Sequence, residues 1–84
     1  MKILLIVPAY NEEENILKVR NIIENYNEKN EQKLDYIIIN DGSTDNTEKI
    51  LEDNNIKHIN LIHNLGIGGA VQTGYKYAHE NDYT

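Results

Sequence analysis

Cysteine, tryptophan and phenylalanine are absent from this chain, and Pro8 is its single proline. Without cysteine there is neither a disulfide framework nor a thiolate metal site, which excludes the disulfide-rich secreted class. Without Trp or Phe the apolar share of 39% is aliphatic, with tyrosine as the sole aromatic. Basic residues are few: eight Lys and Arg face fourteen Asp and Glu, a net charge of −6. A nucleic-acid partner needs a clustered basic surface to displace counterions from phosphates, and this balance argues against one. No apolar run approaches the roughly 20 residues that span a bilayer. The run ILLIV at 3–7 meets Pro8, Asn11 and Glu12 to Glu14 too soon for a secretory leader, so the expected location is cytoplasmic.

What is there reads as one small domain. A chain of 84 residues buries only about 60% of the surface that it exposes when unfolded, so its core is thin. ILLIV has no polar alternation and stops at Pro8, the pattern of a strand covered on both faces in a parallel sheet. Asn11 then offers a helix cap, with Glu12, Glu13 and Glu14 at the positive end of the dipole and Ile16, Val19, Ile23 and Tyr26 at helical spacing. Leu34 to Ile39 predicts a second strand. Asp45 to Asn55 predicts a short helix with a capping box from Asp45 to Glu48. Ile56 to Ile62 predicts a third strand, and a helix carrying Ala70, Val71, Tyr75 and Ala78 follows. The order βαβαβα implies an α/β fold, a parallel sheet between helical layers with right-handed crossovers.

Ligands of such sheets bind beyond the carboxyl ends of the strands. Here these ends carry PAYNEE, NDGSTDNT and HNLGIGG, which should share one edge. Asp41 suits the ribose hydroxyls or the N–H edge of a base. Asp45 suits a helix cap, and Gly42 a tight turn. The competing reading is a strand-to-helix turn with good caps. A calcium loop fits Asp41, Ser43, Asp45 and Glu52, but its sixth position is Asn46 instead of glycine and its ninth is Lys49. NLGIGGAVQTG is not a dinucleotide fingerprint, since Val71 replaces the third glycine after Gly66 and Gly68. It is not a Walker loop either, because Tyr75 and Lys76 follow Gly74. It remains a glycine-rich helix start, facing an anion or packing closely. Tyr10 could stack on a base or cover a helix end. His58, His63 and His79 lack metal-ligand spacing.

VPAYNEEENI, IIINDGSTDNT and NLGIGGAVQTG, in this order, resemble the N-terminal portion of family 2 glycosyltransferases, inverting enzymes with the GT-A, Rossmann-like fold. The third motif is most similar to the branch that charges polyprenyl or dolichyl phosphates with sugar. The resemblance implies a site for a UDP- or GDP-sugar, with Pro8, Ala9, Tyr10 and Glu12 lining the nucleoside pocket. It implies Asp41 on the base or ribose with Ser43 beside it, and Asn64, Gly66 and Gly68 closing the other side. In the family a D-x-D motif holds Mg or Mn against the donor diphosphate, and an acidic base lies later still. Neither lies within residues 1–84, so the expectation is a partial domain with no catalytic residue and no metal of its own. Self-association through an exposed sheet edge is expected, and membrane contact only through further parts or a lipid acceptor. Two other readings stand beside this one: a self-standing nucleotide-binding or regulatory module, and a structural βαβ piece that pairs with a partner.

Overall fold

The computed structural model describes residues 2–83; Met1 and Thr84, the outer bounds of the expected domain, lie outside them. The elements are β1 (Ile3–Ala9), α1 (Ile16–Lys29), β2 (Leu34–Asn40), α2 (Thr47–Asp53), β3 (His58–Asn60) and α3 (Gly66–Glu80), the βαβαβα order that the sequence implies. The strands form a parallel sheet in the order β1-β2-β3, with Ile3 opposite Leu34, Ala9 opposite Asn40 and Asn40 opposite Asn60.

The period of two along each strand explains why its apolar runs do not alternate. On β2, Ile38 faces α1 and α2, packing with Ala9, Ile16, Leu51 and Ile56. Its neighbours Ile37 and Ile39 face the other way, towards Ala70 of α3, with Leu4 and Ile6 of β1 around them. Both faces are covered, so the strand must be apolar throughout. The chain passes β1 to β2 to β3 in one direction, and crossovers of one hand put α1 and α2 on the same face. After β3 it reverses, and α3 returns across β2 and β1 on the opposite face.

Several boundaries differ from the sequence reading. β1 continues through Pro8 to Ala9. The Ala9 carbonyl accepts the Asp41 N–H at 2.8 Å, so the preceding residue, Pro8, turns its backbone to the unpaired edge, where a missing N–H breaks no ladder bond. α1 begins at Ile16 instead of Asn11, and no glutamate lies in its first turn. Asn11 adopts φ 52°, outside helical geometry, and its side chain is engaged elsewhere. α2 starts at Thr47, two residues later than expected, and β3 is confined to His58–Asn60.

Candidate functional site

Because the last residues of the three strands are in register, the loops that follow them leave the sheet side by side. Asn40 joins all three. Its carbonyl accepts the Leu61 N–H at 2.9 Å, its side-chain amide donates to Asn60 Oδ1 at 2.9 Å, and its Oδ1 accepts the Ser43 hydroxyl. Ser43 Oγ in turn accepts the Asn11 N–H at 3.0 Å. Asn40 is 2% exposed, so each of these polar atoms needs its partner inside the protein.

The first and second loops are locked by further bonds. Asn11 Oδ1 accepts the Thr44 N–H at 2.8 Å and the Asp45 N–H at 3.3 Å, which is the work that displaces it from the expected cap. Thr47, fully buried, accepts the Glu12 N–H at 3.0 Å through its hydroxyl oxygen and donates to Asp45 Oδ1. Asp45 also takes the Thr47 N–H at 2.9 Å and, with Oδ2, the Glu13 N–H at 3.3 Å. Asp45 is thus not the expected cap: Asn46 holds the N-cap position, and Asp45, one residue earlier, binds the first N–H of α2. The reciprocal arm of the expected box, from Glu48, does not form among the described residues, because Asp45 sits two residues before the helix. Desolvation would raise the Asp45 carboxyl, but the bonds from Thr47, Glu13 and its own N–H outweigh it and hold it below the usual carboxylate range.

The second and third loops meet at Gly42 and Asp41. Gly42 has φ +68°, and a Cβ there would lie 2.7 Å from Asn64 N and 2.9 Å from the His63 carbonyl carbon. Only glycine lets the third loop come this close. Asp41, 4% exposed, accepts the Leu65 N–H at 2.7 Å through Oδ1. Leu65 precedes α3, so the carboxylate also faces the positive end of that helix. No buried side-chain oxygen among the described residues lacks a partner. Asp41 Oδ2 accepts no hydrogen bond among the described residues.

The structure brings most of the expected site residues to this one edge. Tyr10 is 46% exposed beside the first loop, and Asn64 caps the turn into α3 by accepting the Gly66 N–H at 2.9 Å. Gly66 has φ +77°, and Gly66 and Gly68 have no side chain within 4 Å of where a Cβ would stand. Ala9 is different: it is 3% exposed and packs in the core beneath α1, leaving its backbone as the part nearest the site. Glu12 is tied through its backbone, since its carbonyl accepts the Asn15 and Ile16 N–H groups at 2.9 and 2.8 Å. Sequence reasoning missed Asn40, Asn60 and Thr47. The available signal was a polar residue ending each of two apolar strands. Concavities of about 370 Å³, lined by Leu34, Asp35 and Lys57, and of about 790 Å³, lined by Ile3, Ile6 and Tyr75, lie away from this edge. Among the described residues no group of three or more His, Cys, Asp or Glu could hold a metal ion, and no helix is long and apolar enough to cross a membrane.

The strands form an open parallel sheet whose winding reverses after the third strand, with the Asp41 carboxylate at its carboxyl edge, an α/β architecture of the Rossmann-like kind. The chain belongs to glycosyl transferase family 2, whose model matches residues 4–83. It is 42% identical to a UDP-N-acetylglucosamine–dolichyl-phosphate N-acetylglucosaminyltransferase of Methanococcus voltae, over 93% of this chain and 36% of that protein. It is 38% identical to a dolichyl-phosphate beta-glucosyltransferase of Trichomonas vaginalis, over 83% of this chain and 25% of that one. An undecaprenyl-phosphate 4-deoxy-4-formamido-L-arabinose transferase of Proteus mirabilis is 32% identical, over 92% and 26%. The chain thus spans about a quarter to a third of the length of these curated relatives, whose names belong to the polyprenyl-phosphate branch. No solved structure matches it significantly.

Proposed function

We propose that this chain forms the donor-nucleotide half-site of an inverting glycosyltransferase that moves sugar from a UDP- or GDP-sugar to a polyprenyl phosphate or glycan. The observation that carries the reading is Asp41, buried in a family 2 chain at the meeting point of the strand-end loops, where its carboxylate binds the Leu65 N–H ahead of α3. In this reading Tyr10 covers the base or ribose. Ser43 and Asn11 keep the second loop in place, and Asn64, Gly66 and Gly68 shape the wall opposite. The names of the relatives favour a polyprenyl-phosphate acceptor, and with it action at the cytoplasmic face of a membrane.

Transfer also needs a group that neutralises the leaving diphosphate and a base that activates the acceptor. The divalent cation belongs to the proposal for the whole protein. What these residues contribute is orientation of the donor.

The test is turnover by the intact protein with Mg²⁺, labelled nucleotide sugars and a polyprenyl phosphate. Asp41→Ala should raise the donor KM by about ten- to a hundredfold, the usual worth of a hydrogen bond to a charged group. A donor KM unchanged in a variant that keeps its thermal midpoint would defeat the reading. Tight nucleotide binding with no transfer to any acceptor would instead favour a self-standing binding module.

A further inference from the structure

The following inference rests on the polyprenyl-phosphate acceptor proposed above. We infer that Ile62, Leu65 and Ile67, in the third strand-end loop and the start of α3, form a bilayer-contact surface that seats the donor edge on the membrane holding the acceptor.

Ile62, 91% exposed, and Ile67, 75% exposed, are the two most exposed large apolar side chains among the described residues. Leu65, more than half exposed, lies between them in sequence. Single exposed apolar residues are ordinary, whereas three between the end of one strand and the first turn of the next helix make a patch. Ile67 shows how the fold creates it. The stripe of α3 that meets the sheet runs through Ala70 and Tyr77, with Gly74 against Ile6. Ile67 continues that stripe at helical spacing towards the helix start, yet it is exposed while Ala70 is fully buried. The sheet does not extend far enough to cover it.

Charge sets this loop apart from the other two. From His58 to Tyr75 the chain has no Asp, Glu, Lys or Arg, whereas the first loop carries Glu12, Glu13 and Glu14 and the second Asp41 and Asp45. Dehydrating a carboxylate costs far more than burying an isoleucine returns, so only the third loop can enter the boundary between headgroups and acyl chains. β3 ends the strand order, which puts its loop on the far side of the second loop from those glutamates. Without Lys or Arg the contact is apolar insertion and not attraction to anionic lipid. The Leu61, Leu65 and Gly66 N–H groups are already taken by the Asn40 carbonyl, Asp41 and Asn64, so their loss of water is compensated.

The reaction geometry asks for such a surface. A polyprenyl chain keeps its phosphate at headgroup level, and the donor is held at the carboxyl edge of the sheet, so this edge must approach the bilayer for the two to meet.

Hydrogen exchange of the intact protein, with and without acceptor-free vesicles of neutral phosphatidylcholine, reads the contact in place. The expected result is slower exchange across residues 61–67 and no slowing across 12–14. Exchange at 61–67 unchanged by the vesicles overturns the inference. Slowing that appears only once a polyprenyl phosphate is added overturns it too, since the patch then holds the acceptor's tail and not the bilayer. Turnover gives a second reading. Ile62→Ser combined with Ile67→Ser should raise the KM for a polyprenyl phosphate in these vesicles by about tenfold or more, while the donor KM and turnover of a short, water-soluble prenyl phosphate stay as they were. An unchanged KM for the long acceptor, or an equal loss with the short one, overturns the inference, because the side chains then serve the site itself or are covered by other protein. If the unaltered protein transfers sugar to neither prenyl phosphate, the proposed acceptor falls, and the inference with it.

Discussion

Gly42 in the second loop and Gly66 and Gly68 at the start of α3 have environments that differ enough to separate strain from close approach. At Gly42 a side chain meets both obstacles, φ +68° and backbone atoms at 2.7 and 2.9 Å. Gly42→Ala should cost about 2–4 kcal/mol, the sum of a left-handed conformation and an overlap that rigid backbone cannot relieve. Gly66 has φ +77° but open space, so Gly66→Ala should cost only about 1 kcal/mol. Gly68 has neither obstacle and sits in the first turn of α3, where alanine should be neutral or stabilising by up to about 1 kcal/mol. Urea midpoints of the three variants check this order. Equal losses at all three would mean that the loops do not approach as described. The sequence showed that NDGST turns at Gly42, but it could not show that the third loop lies against that turn. That contact joins residues 22 apart in sequence, and the folded sheet creates it.

At the scale of elements, α3 settles on β1 through Gly74, where a Cβ would overlap the side chain of Ile6. Gly74→Ala should therefore destabilise by about 1–3 kcal/mol despite the better helix propensity of alanine, because overpacking outweighs it. Ile6→Val on that background should recover part of the loss, and the double-mutant cycle measured by denaturant unfolding should show a coupling of about 0.5 kcal/mol or more. Additive losses would place α3 farther from the strand. The start of α1 is the instructive failure of sequence reasoning. Asn11 followed by three glutamates is a good local cap, yet Asn11 bonds the Thr44 and Asp45 N–H groups and the helix waits until Ile16. Local chemistry offered the side chain two partners of similar worth, and the loop beside it decided between them.

At the scale of the whole molecule, the two described ends of the chain meet below the sheet. The Tyr83 hydroxyl donates to Asp35, 48 residues away, and Lys2 Nζ lies 5.7 Å from the Tyr83 ring centre. The bond to Asp35, with desolvation and the nearby charge, pushes the Tyr83 hydroxyl up to about 12. The folded state thus holds this proton more tightly than the unfolded chain, where tyrosine titrates near 10. The stabilisation is full below pH 10 and is lost as pH rises through about 12. Thermal midpoints from pH 8 to 12 should fall on the alkaline side, and Tyr83→Phe should flatten that fall while lowering the midpoint near neutrality. A fall of the same size in Tyr83→Phe would assign it to other groups. The outer edges of β1 and β3 have no strand beside them among the described residues, and sedimentation at rising concentration tests whether copies of the chain pair there.

The sequence by itself determined the order of elements, the parallel sheet and the edge at which its marked loops gather. These follow from apolar periodicity and from crossover geometry, which short segments carry locally. It also determined the family, through motifs that stay readable without a fold. Only the tertiary structure decided which polar side chains bind the loops to one another. Asp41 and Asp45 are both aspartates in the same loop, and both accept backbone N–H groups, yet Asp45 ties that loop to the first through Glu13 while Asp41, 4% exposed, ties it to the third through Leu65. That difference depends on donors from three separate strand ends, and their convergence exists only once the sheet has brought them into register.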